Sequence, residues 1–318
     1  MIKVEHLSKT YGSTPAIQDV TFAVQPGEIL GFLGPNGAGK TTTMRILAGY
    51  LPASSGTASI AGYDVHEDSM AVRRSIGYLP ETPPLYSEMT VEGFLLFVAQ
   101  LKGVKSRDRK RKVYSAMERC NLIEKRKVLI RKLSKGFRQR VGIAQAIVHD
   151  PPVIILDEPT VGLDPRQIIE VRNLIKSLAG EHTIILSTHI LPEVSMTCSR
   201  VTIINRGRIV ATNTPENLME QIAGGIGYEL EVEGNALTIK KILQVLPEVR
   251  LVEAIPAPDL PEKRCLIRVV SERGAEPGDK IASRLVGAGL SLYEMRRTVA
   301  SLEDVFLELT MEDTLVQG

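Results

Sequence analysis

The chain has 318 residues, 43% of them hydrophobic, which is enough for a full core and predicts two domains. Aromatic residues make up only 4% and tryptophan is absent, so a stacking platform for nucleic acid is not expected. The net charge is +2, and the three cysteines are too far apart in sequence for a CxxC pair or a metal site.

Membrane insertion is not expected from the hydrophobic pattern. No apolar run approaches the roughly 18–20 residues needed to span a bilayer. A strand-like run with the charges Lys3 and Glu5 follows Met1, and no apolar h-region precedes a cleavage site, so a secretory signal is not expected. Any role at a membrane would therefore depend on a partner.

The first two thirds of the chain alternate between strand-like and helix-like segments. Short apolar, β-branched runs predict strands that are buried on both faces, and these runs occupy residues 28–33, 76–79, 153–156 and 183–187. Helices are predicted over residues 40–50 and 166–179. This alternation predicts an α/β domain with a mostly parallel sheet.

A helical insertion is predicted over about residues 83–150. Thr90 can cap a helix over 91–101, Ser106 one over 107–120, and Ser134 one that runs to His149. Residues 102–138 contain 15 Lys and Arg against three acids, a local charge of +12. This charge fits either an anionic partner surface, such as lipid headgroups, or a solvated basic helix face.

The composition changes after Pro215, so domains are predicted over residues 1–214 and 215–318. The second has the element order βαββαβ, which predicts a small α+β domain of the ferredoxin-like type. Its strands are expected at 228–233, 250–255, 265–270 and 290–296, and its helices at 236–246 and 280–286. Ser301 is expected to open a last helix.

A phosphate-binding loop follows the first buried strand. Residues 34–41 match GxxxxGK[ST], and they comprise Gly34, Pro35, Asn36, Gly37, Ala38, Gly39, Lys40 and Thr41. The glycines let backbone N–H groups turn around phosphate oxygens, and the helix start adds partial positive charge. Lys40 supplies a charge for the β- and γ-phosphates, and Thr41 supplies a hydroxyl for Mg²⁺.

Two adjacent acids end the strand predicted at residues 153–156. Ligands of doubly wound sheets bind at this end of the strands. Because adjacent strand residues point to opposite faces, Asp157 and Glu158 are expected to have different roles. Asp157 can hold the Mg²⁺ shell, and Glu158 can orient and deprotonate the attacking water.

Further motifs carry a resemblance to a known family. Residues 133–141 (LSKGFRQRV) resemble the ABC signature, usually written LSGGQ, and residues 162–165 (GLDP) resemble the D-loop. His189 resembles the switch histidine, and Tyr11 resembles the aromatic residue that stacks on adenine. The order of these motifs across residues 1–214 is similar to that of ABC transporter ATP-binding subunits.

This resemblance implies a P-loop ABC ATPase that uses ATP and Mg²⁺, with Glu158 and His189 as catalytic residues. Nucleotide contacts are implied for the phosphate loop and for Tyr11, Thr42, Glu81, Ser134, Lys135, Gly136 and Asp164. Metal contacts are implied for Thr41, Asp157 and Glu81. Each ATP would lie between the phosphate loop of one subunit and the signature of a second copy, in a head-to-tail dimer.

The chain departs from the family pattern at three positions. Lys135 replaces the first signature glycine, and Phe137 replaces the usual glutamine. Lys135 would either add charge near the partner's nucleotide or point to solvent. Glu81 stands where the family usually has glutamine, and a carboxylate there can still ligate Mg²⁺ although it repels phosphate.

The motifs Gly-Tyr-Leu-Pro-Glu and Leu-Ser-Lys-Gly-Phe are similar to those of the ABC-2-type exporter branch. This resemblance implies a separate membrane permease, with a short cytoplasmic helix docked beside Glu81 and residues 82–95. The chain would then lie at the cytoplasmic face of the cell membrane. The alternatives are a soluble ABC ATPase of DNA repair or translation, and a P-loop kinase or GTPase, which would lack the signature.

Overall fold

The computed structural model describes residues 1–222, 226–257, 260–261, 263–272, 274–298 and 306. The chain divides into two compact units, Met1–Pro215 and Glu216–Gly318. No helix in the described part of the chain is both long and apolar enough to cross a bilayer.

A six-stranded sheet forms the centre of the first unit. Its strands are β3 (Ile29–Leu33), β6 (Ile76–Leu79), β7 (Val153–Asp157), β8 (Thr183–Thr188), β9 (Arg200–Asn205) and β10 (Arg208–Asn213). The order is β10-β9-β3-β8-β7-β6, and all neighbouring pairs are parallel except β9 with β10. Every residue of β3, β7 and β8 is buried, as expected for strands covered on both faces.

A second, antiparallel sheet packs into the same core and is absent from the sequence-based prediction. It comprises β1 (Ile2–Tyr11), β2 (Thr14–Val24), β4 (Ser55–Ile60) and β5 (Tyr63–Asp64), in the order β2-β1-β4-β5. Phe22 of this sheet lies 5.4 Å, centroid to centroid, from Phe32 of β3. The strands have one polar face and register shifts, so they contain no continuous apolar run.

Helices pack around the sheets of this unit. They are α1 (Lys40–Leu47), α2 (Ser69–Ser75), α3 (Val91–Leu101), α4 (Ser106–Arg119), α5 (Lys135–Ile147), α6 (Pro165–Leu178) and α7 (Leu191–Thr197). The hydroxyl of Thr90 accepts from Gly93 N at 3.1 Å and caps α3, and Ser134 caps α5 by accepting from Phe137 N. α3, α4 and α5 form the helical part between β6 and β7, with two short 3-10 turns between α4 and α5.

Several predicted helix ends differ from the structure by one to three residues, and two of these have a clear local cause. Ser106 begins α4 itself and makes no cap hydrogen bond, because the helix starts one residue earlier than expected. α1 ends at Leu47 and not at residue 50. Gly49 adopts a φ of 69°, and Tyr50 N donates to Arg45 O while Gly49 N donates to Ile46 O. This is a Schellman ending, which favours glycine at the left-handed position.

His149 follows α5 and is held in its neutral form. Its Nε2 donates to the carbonyl oxygen of Ile76, 3.0 Å away, at the start of β6. Burial, with help from the nearby Lys102 ammonium, lowers the pKa of His149 from 6.5 to about 4. Protonation of His149 therefore favours the unfolded chain.

We expect acidification to destabilise the wild type more steeply than the variant H149Q between about pH 6.5 and about pH 4. In this window the unfolded chain binds a proton that folded His149 excludes, and the full difference corresponds to about 3 kcal/mol. Urea unfolding at both ends of the window measures it. The variant H66Q, which removes an exposed histidine, should keep the wild-type pH dependence. Parallel curves for the wild type and H149Q would contradict the prediction.

The second unit has the predicted βαββαβ order, preceded by α8 (Pro215–Ile222). Its elements are β11 (Gly227–Glu233), α9 (Ala236–Leu243), β12 (Val249–Ile255), β13 (Arg264–Ser271), α10 (Gly278–Gly287) and β14 (Leu292–Thr298). The sheet is antiparallel in the order β12-β13-β11-β14, which is the ferredoxin-like arrangement. The predicted helix from Ser301 lies outside the described residues.

One face of this small sheet is apolar and the other is charged. Leu230 and Val232 of β11 belong to a core cluster with Ile239 of α9 and Ile281 of α10. The alternate residues of β11 are acidic, and they pair with arginines of the neighbouring strands: Glu229 with Arg296 and Arg268, and Glu231 with Arg264. The period-2 alternation thus determines which face packs against the helices.

Candidate functional site

The loop between β3 and α1 has the shape of an anion cradle. Gly37 and Gly39 have φ values of 80° and 106°, which turn the backbone N–H groups of the loop inward. A Cβ atom at Gly39 would lie 2.8 Å from Ala16 O and 2.6 Å from the Ile17 side chain. Glycine is therefore required at Gly39, both by its backbone angle and by the lack of space.

Lys40, the first residue of α1, is buried beneath this loop. Its Nζ donates to the carbonyl oxygens of Gly34 at 2.7 Å and Pro35 at 3.2 Å. The same Nζ lies 3.4 Å from Glu158 Oε1. The ammonium group therefore lies at the floor of the cradle, between the loop carbonyls and a carboxylate.

Asp157, the last residue of β7, has an unsatisfied carboxylate oxygen. Its Oδ1 accepts from the hydroxyl of Thr41 at 3.4 Å, whereas Oδ2 is buried without a hydrogen-bond partner among the described residues. Burial raises the pKa of Asp157, and the nearby carboxylates of Glu158 and Glu81 add to this shift. A hydroxyl beside an under-coordinated carboxylate suits a hard divalent cation that keeps most of its water ligands. The residues present therefore fit Mg²⁺.

Glu158 lies between the cation Lys40 and the imidazole of His189. Its Oε2 is 2.9 Å from His189 Nδ1, and its side chain is only 7% exposed. The backbone of Glu158 has a φ of 50°, a conformation that few residues other than glycine adopt. The backbone N–H of Glu158 donates to Ser187 O at 2.9 Å. The turn after β7 therefore aims this carboxylate toward the cradle.

These residues surround one cavity of about 410 Å³. Its lining comprises Ala16, Asn36, Gly37, Gly39, Lys40, Thr41, Thr42, Glu81, Glu158, Val161 and His189. Ala16 and Val161 were missed from the sequence, since neither residue type indicates chemistry. The cavity brings the predicted phosphate-loop, carboxylate and histidine residues together with Glu81.

Nine predicted site residues are not among those that line this cavity. Gly34, Pro35 and Ala38 belong to the phosphate loop itself, and Asp157 accepts from Thr41 of the cavity wall. The other five lie elsewhere. Ser134, Lys135 and Gly136 lie at the start of α5, and Asp164 caps α6 by accepting from Gln167 N at 3.0 Å. Tyr11 ends β1, is about half exposed, and has the Lys9 amine 5.5 Å from its ring centroid. The roles of all nine stay predictions.

The start of α5 packs against the D-loop segment of the same chain. Lys135 is exposed, and its amine lies directly against Gly162, while Gly136 lies against the side chain of Gln167. Phe137 lies between two cations, with Lys125 Nζ at 5.5 Å and Arg140 Cζ at 5.9 Å from its ring centroid. The two unusual signature residues are thus held at the surface by contacts within their own chain.

A buried polar cluster behind Glu158 was also missed. Thr160, Thr188 and Glu193 are buried and hydrogen-bonded to one another. Their separation in sequence hides this cluster, although the glutamate four residues after His189 could have suggested it.

The fold and the cavity define a class of protein. A phosphate loop with a buried lysine, beside parallel strands that end in two carboxylates, is the site of a P-loop nucleoside-triphosphate hydrolase. The mostly parallel sheet places that site at the carboxyl ends of its strands.

Comparison with known proteins gives the family. The family model described as "ABC transporter" matches residues 17–161. The bacitracin transport ATP-binding protein BcrA of Bacillus licheniformis is 33% identical over 311 residues, which cover 97% of each chain. The linearmycin resistance ATP-binding protein LnrL of Bacillus subtilis is 32% identical over 235 residues, covering 74% of this chain and 76% of that protein. The solved structure of an ATP-binding subunit of an ABC transporter has 33% sequence identity to this chain and a TM-score of 0.64. The match covers 70% of this chain and 92% of the chain in that structure.

The chain belongs to the ABC transporter family, as an ATP-binding protein with ATPase activity. The resemblance and the fold class predicted from the sequence are confirmed, and ATP is confirmed as the nucleotide. The relatives agree with the exporter branch that the motifs predicted.

Proposed function

We propose that this ATPase drives an ABC-2-type exporter through a separate membrane permease. The proposal that the chain hydrolyses ATP in this cavity rests on one observation. Lys40, Glu158 and His189 line one cavity at the phosphate loop, and Glu158 contacts both of the other two side chains. The phosphates of ATP would lie in the cradle over Lys40. Glu158 would orient and deprotonate the attacking water, and His189 would contact the γ-phosphate or that water.

Mg²⁺ would be held by Thr41 and Asp157, with Glu81 on the same cavity wall, and would neutralise charge on the β- and γ-phosphates. The open Oδ2 of Asp157 supports this assignment. No cluster of three His, Cys, Asp or Glu ligands occurs in the described residues. Such a sparse protein ligand set is typical of nucleotide-bound Mg²⁺.

A second copy of the chain would complete each ATP site. Within the described part of one chain, the cavity has no lining residue from 134–136. Ser134 and Gly136 lie at the start of α5, where N–H groups and the Ser134 hydroxyl can receive an anion. ATP held between the phosphate loop of one copy and this helix end of another would close a head-to-tail dimer, with Asp164 between the sites.

The permease would dock beside Glu81 and residues 82–95, and a cationic cavity at the C-terminal end of α3 offers it a second contact. A cavity of about 360 Å³ is lined by Tyr50, Arg73, Tyr78 and Lys102, among others, and the Tyr78 hydroxyl has no partner there. Burial, with a smaller contribution from the nearby Arg73, lowers the pKa of Lys102 to about 8. An acidic side chain of a permease helix fits this chemistry.

This docking would place the chain at the cytoplasmic face of the membrane. The exposed basic side chains of α4 offer a second contact to anionic lipid headgroups. Because relatives are named for bacitracin transport and linearmycin resistance, we propose outward transport of antibiotic-type compounds. Co-purification with a permease, and stimulation of the ATPase by it, test the proposal.

Glu81→Ala is expected to abolish stimulation by the permease and to lower the basal ATPase rate by about 10- to 100-fold. Its carboxylate lies on the wall shared by the nucleotide and the docking segment, so its loss uncouples the two. Glu81→Gln restores the residue usual in the family and should retain stimulation. Phosphate release with and without permease measures both variants, and unchanged stimulation of Glu81→Ala would refute this role.

A further inference from the structure

Glu193 is a buried carboxylate without a counter-ion. It lies in α7 and is only 3% exposed. It forms no ion pair with any described residue, and burial raises its pKa. A leucine would be accommodated more easily at a position of this kind, since an unpaired buried carboxylate is unfavourable. The position therefore calls for an explanation in terms of what Glu193 contacts.

The two carboxylate oxygens of Glu193 contact two different functional segments. Oε1 accepts from the hydroxyl of Thr160, which lies two residues after Glu158. Oε2 accepts from the hydroxyl of Thr188, 3.0 Å away, which directly precedes His189. One side chain thus joins the turn that carries Glu158 to the strand end that carries His189.

The direction of these hydrogen bonds follows from the surrounding contacts. Thr188 Oγ1 accepts from the backbone N–H of Ile190 at 3.0 Å, so its own proton is directed to Glu193. Thr160 and Thr188 are buried, with 3% and 0% exposure, so water cannot replace the carboxylate as their partner. Loss of Glu193 would leave both hydroxyl donors unsatisfied.

The segments joined by Glu193 carry the two residues Glu158, whose backbone is strained, and His189, whose side chain is exposed. Glu158 has its φ of 50°, and a backbone of this kind persists only where surrounding contacts hold it. The side chain of His189 is 41% exposed, and within the described part of the chain its ring hydrogen-bonds to Glu158 Oε2 at 2.9 Å. Both therefore depend on the groups behind them for their relative position.

We propose that Glu193 is a positioning residue for ATP hydrolysis, which ties Thr160 to Thr188 and so holds Glu158 against His189. This role rests on the proposed function of Glu158 and His189 in hydrolysis. Glu193 does not line the nucleotide cavity, so it acts through the pair and not on ATP itself.

Glu193→Ala is expected to lower kcat by about 100-fold, with the KM for ATP within about twofold of the wild type. Thr197→Val is the matched control, because it removes a buried hydroxyl without a partner from the same helix, and its kcat should stay near the wild-type value. In an H189A background, Glu193→Ala should lower kcat by less than about threefold, since the pair is already broken. An equal loss in both backgrounds would overturn the proposal, as would a kcat unchanged from the wild type.

A second measurement is independent of hydrolysis. In protein labelled with ¹⁵N-histidine, the His189 ring resonances, assigned with H189A, report whether Nδ1 is hydrogen-bonded. Glu193→Ala should shift them as Glu158→Gln does, and Thr197→Val should not. If Glu193→Ala does not fold, Thr160→Val, which removes one of the two hydrogen bonds, takes its place in both experiments. Ring resonances that stay at the wild-type position would overturn the role of Glu193. A wild type that shows the hydrogen bond but no ATP turnover would instead contradict the proposed function.

Discussion

Glu158→Gln is expected to slow ATP hydrolysis by about 100- to 10,000-fold while ATP still binds. The amide keeps the size of the side chain and a contact to Lys40, but it cannot accept the proton of the attacking water. It also removes a negative charge that lies 3.4 Å from Lys40 and beside the position of the γ-phosphate. Phosphate release and nucleotide binding, measured on the same preparation, separate the two effects.

The same variant tests the dimer. Because hydrolysis no longer removes the bridging γ-phosphate, ATP should hold two copies together, and light scattering should report a dimer with ATP and a monomer without it. Glu5→Gln, at an exposed position on β1, is the matched control and should behave as the wild type. A Glu158→Gln protein that stays strictly monomeric with ATP, both alone and with its permease, would contradict the shared site.

Local sequence was enough to predict those parts of the fold in which a single segment has a recognisable hydrophobic pattern or motif. The strands β3, β7 and β8 are continuous apolar runs, and the loop before α1 has eight consecutive residues of one motif. The antiparallel sheet was missed because half of its residues face solvent and its register shifts break the alternation. Its strands become recognisable only through their packing with residues such as Phe32.

The site residues also divide into those that local sequence predicts and those that only the folded structure brings together. Lys40, Asp157 and Glu158 were predicted because each follows a recognisable strand or lies within a motif. The contact of Glu193 with Thr160 joins residues 33 positions apart and depends on how α7 packs against β3 and β8. Hydroxyl and carboxylate groups at such a separation have no local pattern, so only the assembled core identifies them as partners. The position of Lys135 against Gly162 was unpredictable for the same reason.

Lys40→Ala is expected to weaken ATP binding by about 100-fold, because charge-assisted hydrogen bonds to the phosphates are lost. Unlike Glu158→Gln, it should lower ATP affinity and hydrolysis together. Calorimetric titration with ATP measures the affinity, and an affinity within a few-fold of the wild type would show that the ammonium does not contact the phosphates.

The same change should also lower stability, since it leaves the Glu158 carboxylate buried without its cation. The double variant Lys40→Ala/Glu158→Gln removes that unpaired charge. We therefore expect it to recover most of the lost thermal stability but none of the lost ATP affinity. Recovery of affinity in the double variant would mean that repulsion by Glu158, and not loss of the ammonium, weakens binding. The opposite responses of stability and affinity thus separate the structural role of Lys40 from its role toward ATP.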